Sequence, residues 1–454
     1  MSRPEPAIAP VPGSRVWWSG MLPTPTYRAA IVLAVAAVIS ALGPAGIGWV
    51  VPVAVVGVLV GVDAFLAPAP WAVAVSRELP AVLPLDGEGT VTWRVRNPTE
   101  RPLKVWLADG FAPSLGATRR RFALSLAGRG QQRVTTTLHP QRRGTFLPTE
   151  LTVRVAGPLN LATRQAARSL PGRIEIHPRF RSRSEALLRI RRGRILEQGR
   201  RAARGAGTGT EFEALRDYVQ GDEYRHVDWA ATARVGHPVV RTYRVERDQT
   251  VIVLLDHGRL MAGAVDGVPR LDHAMDATLA LATVTSALGD RIGLVAYGSR
   301  VHRVVAPRRD REQLRRLSTE LHALQPELAA SDHDAAVRAV LARTRRRALV
   351  VLLTDLAPEA SEDTLLPVLP SLLRYHRVLV AGVRDPEIGE RIDARVHDVA
   401  DVYRAAGAAT IEDARRRVVQ GILALGAGVV DAEPRGFAAA VADAYLETKT
   451  SGGW

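Results

Sequence analysis

The sequence predicts an α/β protein built in three parts: a two-helix transmembrane hairpin, a β-sandwich-like domain and a doubly wound α/β domain. Three observations carry this. Residues 29–62 contain no charged side chain. Short runs of period-two apolar alternation then recur up to about residue 178, and from Gln249 onward apolar strands alternate with amphipathic helices. A chain of 454 residues also exceeds what one hydrophobic core usually organises, so several domains are expected on length alone.

The charge-free run is too long for one membrane crossing and fits two short ones of roughly 17–20 residues. GPAG at 43–46 divides it, since proline and glycine end a helix and permit a tight reversal. Helices are predicted over 27–42 and 47–66, with Trp17, Trp18, Trp49 and Trp71 as interfacial anchors. Arg3 and Arg15 precede the first helix and Arg28 stands at its start, Arg77 follows the second and the reversal is uncharged. By the positive-inside rule both ends are cytoplasmic, giving a two-pass protein of the cell's inner membrane behind a tail at 1–26. A cleaved signal peptide is the rival reading, which Pro44 just past the cut opposes.

After the hairpin at 27–70, Val91, Trp93 and Val95 alternate with Thr92, Arg94 and Arg96, and Leu103, Val105 and Leu107 continue after the turn NPTERP. Phe122, Leu124 and Leu126 repeat the pattern, as do Val134, Thr136 and Leu138, and Leu151, Val153 and Val155. Short strands joined by polar turns predict a β-sandwich over 71–178. Residues 179–208 read as a linker, with ten arginines and two glutamates between Arg179 and Arg204. Its plain reading is a solvated helix and loop; the sharper one is contact with anionic lipid. Strands are then predicted at 250–256, 291–298, 348–355, 377–383 and 427–432, with helices at 271–288, 311–324, 334–345 and 412–425. Runs apolar on both faces and joined by helices make a mainly parallel sheet, whose ligands gather at the carboxyl ends of its strands.

The net charge of +15 comes almost wholly from arginine, because Lys104 and Lys449 are the only lysines. It suits a membrane surface or an acidic partner. Nucleic acid is not expected, since Phe180 is the lone aromatic in the arginine run and stacking would need more. With no cysteine the chain has neither disulfides nor thiolate metal sites.

The stretch GTGTEFEALRDYVQGDEYRHVDWAATARVGHPVVRTYRVERDQTVIVLLD closely resembles the signature of the domain of unknown function 58 family. The matching residues are Gly209, Glu211, Phe212, Leu215, Arg216, Tyr218, Gly221, Asp222, Arg225, Asp228, Trp229, Ala233, Arg234, Arg241 and Glu246. The resemblance implies a bacterial membrane protein associated with MoxR-type AAA+ ATPases, with a membrane hairpin, a β-rich domain and a von Willebrand factor A-like domain at 209–454. Arg143-Gly144 keeps one turn of the family's strand-rich part, whereas GPLN at 157–160 departs from another. In the signature Glu211, Arg216, Asp222, Arg225, Asp228 and Arg234 interleave in sign, and Arg225 and Asp228 have the spacing of a helical pair. This suits a hydrogen-bonded clasp. It either packs onto the sheet domain through Trp229 as an apolar anchor or forms a docking surface for a partner.

The resemblance also implies a metal-ion-dependent adhesion site, in which an Asp-x-Ser-x-Ser run, a threonine and a later aspartate hold magnesium. Asp256 matches the first ligand and Asp355 the last, but Gly258 and Leu260 replace both serines and carry no side-chain oxygen. Ser331 or Asp332 stands near the expected threonine loop. The degenerate site is thus Asp256, Ser331, Asp332 and Asp355. No cofactor is expected; Mg2+ is the alternative, and a transition ion on His257, His273 or His333, each following an aspartate, is another.

The chain carries no Walker lysine motif, no His-Glu-x-x-His and no Gly-x-Ser-x-Gly elbow, so it is expected not to be an enzyme. The expected function is a membrane-anchored adaptor for a MoxR-type ATPase in protein-complex assembly or maturation. A metal-dependent hydrolase or metal-bridged adhesion domain is the first alternative, and lipid or nucleic-acid binding through the arginine run the second. The sequence defines no oligomeric state.

Overall fold

The computed structural model describes residues 23–42, 50–203, 211–220, 222, 224–244, 249–310, 312–358 and 361–450. It is a mixed α/β chain in two compact units, 1–177 and 178–454.

The first unit begins with helices α1 (Tyr27–Leu42) and α2 (Val50–Leu66). The stretch Val50–Ala72 is long and apolar enough to cross a membrane, with a mean hydropathy of 2.4. Helix α1 is apolar but spans only about 24 Å at 1.5 Å per residue, short of the roughly 30 Å hydrocarbon core. Among the described residues one helix therefore meets the length for crossing, where the sequence led us to expect two. The reversal at 43–46, the tryptophans at 17, 18 and 49, and the arginines at 3 and 15 lie outside the described residues.

Asp63, on the last full turn of α2, is buried despite the apolar helix around it. Its carboxylate accepts the backbone N–H groups of Leu159 at 2.6 Å, Leu161 at 2.7 Å and Ala162 at 2.8 Å. Three charge-assisted bonds offset the cost of burying the carboxylate and fasten α2 to the turn at 157–160. Gly157 permits the approach, because a Cβ there would collide with Asp63.

The strands that follow form a five-stranded antiparallel sheet, in the order Thr24–Pro25, Ala162–Ser169, Glu150–Ala156, Leu103–Asp109 and Arg121–Leu126, and two three-stranded sheets. One of these is Ala74–Glu78, Gly89–Arg96 and Gln131–Leu138; the other is Val82–Pro84, Ile174–His177 and Gly144–Phe146. Alternation puts Val91, Trp93 and Val95 in one core with Leu103, Val105, Leu107 and Leu151. The buried Trp93 indole donates to Asp109 at 2.9 Å, and Arg77 donates to both oxygens of the same carboxylate at 2.8 and 2.9 Å. The charges inside this core are thus paired, as burial demands.

In the second unit six strands make one sheet: β1 (Thr250–Asp256), β2 (Arg291–Tyr297), β3 (Val301–Arg308), β4 (Leu349–Leu353), β5 (Arg377–Val383) and β6 (Gly428–Ala432). Their order is β3-β2-β1-β4-β5-β6, parallel except for β3, which runs antiparallel at the edge. Both faces are buried, so side chains alternate between two cores. Val251, Val253 and Leu255 join one with residues of 270–287 and 434–450, while Ile252 and Leu254 join the other with residues of 333–343 and 399–424.

Three features depart from expectation. Strand β3 escapes the sequence pattern because its VHRVVAPR run is broken by His302, Arg303 and Arg308 and is only partly buried. The arginine run is no free linker: helix α3 (Arg183–Ala203) buries Ala186 and Ile190 in the second unit's core. Arg189 pairs with Asp443 at 3.0 Å. The helix expected from 412 instead starts at Val399 and runs to Ala424, capped by Asp398, whose carboxylate accepts the Asp401 N–H. Its first half is alanine-rich and exposes Val399, Val402 and Tyr403, so helical propensity rather than an apolar stripe builds it.

Candidate functional site

Two features of the second unit carry candidate residues: the carboxyl ends of β1 and β4, and the signature segment that precedes β1. Asp256 closes β1 and is 2 % exposed. Its Oδ1 accepts the Ser331 hydroxyl at 2.6 Å and the Gly258 N–H at 2.8 Å, and its Oδ2 accepts the Thr354 hydroxyl at 2.6 Å. Gly258 has φ −71° and ψ −172°, extended backbone open to any residue. The reason for glycine is space, since a Cβ there would collide with Ser331 Oγ. The Ser331 hydroxyl thus occupies the space a side chain at 258 would need.

Asp355, just beyond β4, meets cations. Arg415 donates to it at 3.3 Å while also binding Asp431 at 2.8 Å and the Val383 carbonyl at 3.2 Å, and the Arg270 guanidinium stands 3.7 Å away. Burial opposes the Arg415 charge, but hydrogen bonds and attraction from Asp431, then Asp355, outweigh it and hold its pKa above the ordinary value. Asp332 turns to other work: its carboxylate caps the helix His333–Arg343 by accepting the Ala335 N–H at 2.8 Å.

Magnesium requires a near-octahedral set of oxygens at about 2.0–2.1 Å. Of the four candidates, Asp256 and Ser331 come together, Asp332 serves a helix, and Asp355 is matched by guanidinium. Gly258 and Leu260 bring no donor. This donor set does not fit the ion. The histidines do not supply another: among the described residues, no three metal-ligating side chains within mutual reach include His257, His273 or His333. His273 faces the Val265 carbonyl at 3.3 Å. The His333 Nδ1 stands 2.9 Å from the Tyr297 hydroxyl. Burial lowers the His333 pKa despite the charges of Asp256 and Asp332, and burial raises that of Tyr297 well above the usual phenol value. Burial therefore favours a protonated phenol beside a neutral imidazole. Buried His257, whose pKa burial and then His302 lower, has no partner on either ring nitrogen.

In the signature segment Glu211–Asp217 pairs antiparallel with Val239–Arg244, and α4 (Trp229–Val235) lies between them in sequence. Arg216 grips Asp222 with two bonds, 2.5 and 2.7 Å, and the Val219 N–H adds a third at 3.0 Å. These hold the Asp222 pKa below the ordinary range, Arg216 first. Asp228 caps α4 through the Ala231 N–H at 3.0 Å and accepts Arg241 at 2.8 Å. The pair expected between Arg225 and Asp228 lies outside the described residues, as do the side chain of Glu211 and Gly221. Arg234 bonds its own helix at the Ala230 carbonyl, 3.1 Å. Trp229 is no apolar anchor: it is 66 % exposed, and Tyr224, also exposed, stacks on Tyr218.

Sequence reasoning did not find Thr354, Arg270, Arg415 or the Tyr297–His333 pair. The Thr-Asp end of LLTD was a visible signal for Thr354, whereas Arg415 sits in a helix with many arginines and only its burial distinguishes it.

Residues 214–402 match the family model described as "Protein of unknown function DUF58". Uncharacterized proteins of Mycobacterium tuberculosis and Mycobacterium bovis are 29 % identical over 218 residues, 47 % of this chain. The chain spans 63 % of the length of these relatives. Among solved structures, the conserved hypothetical protein BatB of Bacteroides thetaiotaomicron aligns at 15 % identity with a TM-score of 0.31, over 45 % of this chain and 98 % of that one. An uncharacterized membrane spanning protein of Vibrio fischeri aligns at 14 % identity and a TM-score of 0.17, over the same shares. These likenesses are too distant to define a fold.

Proposed function

We propose that the chain is a membrane-anchored interaction adaptor, without enzymatic activity of its own, that serves a MoxR-type AAA+ ATPase in protein-complex assembly or maturation. In this reading α1 and α2 form a two-pass hairpin in the inner membrane and both soluble parts are cytoplasmic. The second unit is a von Willebrand factor A-like domain that works without a metal. The strand order with one antiparallel edge supports that fold, and the arginines on Asp355 support the absence of an ion.

The observation that carries the adaptor reading is the exposed face of the signature segment, where Tyr224 and Trp229 are 73 % and 66 % exposed and Leu215, Val219 and Val235 are exposed with them. Aromatic residues beside arginine, held by ion pairs, are the composition of a protein-binding hot spot. Crosslinking in native membranes should recover an AAA+ ATPase with the parent chain and lose at least tenfold of it with Trp229→Ala/Tyr224→Ala. Recovery that is undiminished in the double variant, or that never contains such an ATPase, refutes the reading.

A further inference from the structure

At the foot of α2 the first unit contains a cavity of about 470 Å³. One wall is Leu66 and Pro68, leaving the membrane helix; the others come from the 99–104 loop, Ser125 to Ala127, and the 156–160 turn. Arg101 and Lys104 stand on its rim, both exposed, and no acidic residue lines it. Neither cation pairs with a carboxylate among the described residues. Lys104 is one of two lysines in a chain that otherwise uses arginine.

The cavity is preformed. Asp63 fixes the 157–160 turn to α2 through three backbone N–H groups, so that wall and helix move as one. It also opens where the bilayer would end. Phe65 and Leu66 are exposed beside it, and Trp71, half exposed, carries the Arg164 guanidinium 5.8 Å over its ring. Apolar side chains, an aromatic and cations in that order mark a membrane–water boundary.

We propose that this cavity binds the phosphate-bearing headgroup of an anionic phospholipid from the membrane that holds α2. Arg101 and Lys104 neutralise the phosphate, and Ser125 and Asn160 offer uncharged donors. Leu66 and the prolines meet the glycerol and the start of the acyl chains. The inference rests on the membrane reading above. A phosphate diester is the chemistry recognised; the lipid is its source, because the apolar wall continues into the exposed surface of α2.

The full chain is placed in phosphatidylcholine nanodiscs containing a minor share of phosphatidylglycerol, and the lipids that remain on the protein after release are identified by native mass spectrometry. The parent should retain phosphatidylglycerol in preference to phosphatidylcholine, and Arg101→Gln/Lys104→Gln should lose about tenfold or more of it, as expected for two cations at an anionic surface. Arg191→Gln/Arg192→Gln, on the exposed side of α3, should retain it. Equal retention of both lipids, an unaffected Arg101/Lys104 variant, an equal loss in the α3 variant, or full displacement by millimolar inorganic phosphate each overturns the proposal. Alkaline carbonate extraction separates the premises: a chain that washes off membranes overturns the membrane reading itself, whereas one that stays but selects no lipid overturns only this inference.

Discussion

Adding one methyl group at Gly258 tests whether Ser331 and a side chain at 258 compete for one space. In Gly258→Ala the new Cβ drives Ser331 Oγ away from Asp256 Oδ1, breaking a 2.6 Å bond to a buried carboxylate. A hydrogen bond to a charged group contributes about 1.5–3 kcal/mol, and overpacking adds about 1–3 kcal/mol of strain. Backbone conformation adds nothing, because φ is −71°. We expect Gly258→Ala to cost about 2.5–6 kcal/mol and Ser331→Ala about 1.5–3 kcal/mol. With Ser331 already truncated, the severe overlap is gone and the methyl meets the Ala329 carbonyl at 3.1 Å and Asp256 at 3.3 Å. The pair should therefore be less destabilised than the sum by about 1–3 kcal/mol. Amide hydrogen exchange in peptides covering β1, measured on the detergent-solubilised full chain, reads this as a change of about tenfold per 1.4 kcal/mol of local opening energy. Costs that add within about 0.3 kcal/mol would refute the argument, since the two side chains would then not share one space.

Two further outcomes follow from the buried charges of the same unit. Arg415→Met leaves Asp355 and Asp431 without their shared cation and should destabilise the second unit by about 3–5 kcal/mol, seen as a lower urea midpoint; a shift below about 1 kcal/mol would mean the guanidinium is not what holds them. His333 has a folded pKa below its unfolded value of about 6.5, so the unfolded chain binds more protons as the solution is acidified. Its contribution is fully present above about pH 6.5 and is lost as pH falls towards the folded value. The melting temperature of the parent should therefore fall more steeply than that of His333→Gln between pH 7 and pH 5, and parallel curves would contradict the neutral imidazole beside Tyr297.

The second unit's sheet was legible because strands buried on both faces read as unbroken apolar runs, and five of its six were visible as such. Strand β3 was hidden because an edge strand needs only one apolar side. The candidate site was half legible. Asp256, Ser331 and Asp355 could be named from their places at strand ends, but their partners come from 60 to 98 positions away in the chain and follow no short-range pattern. Asp332 and Trp229 show the converse failure. An aspartate before a helix caps it, and the sequence offers no sign of whether it also faces a site. A tryptophan in an otherwise polar segment looks like an anchor, yet the segment is ordered by Arg216–Asp222 and Arg241–Asp228 and does not need one.

The partners of Asp256 and Asp355 explain how two carboxylates can stand buried at neighbouring strand ends. Asp256 satisfies its oxygens with two hydroxyls and an N–H, whereas Asp355 has only cations to meet it. Two guanidiniums bring the same two positive charges that a divalent ion would, but they are covalently attached and cannot dissociate. On the proposed metal-free reading, a strand end balanced in this way should not respond to the concentration of free magnesium. The affinity of any partner that docks on this unit should then be set by its own surface, and chelation by EDTA should leave capture of that partner unchanged. A partner released by the chelator would show that an ion bridges the contact after all.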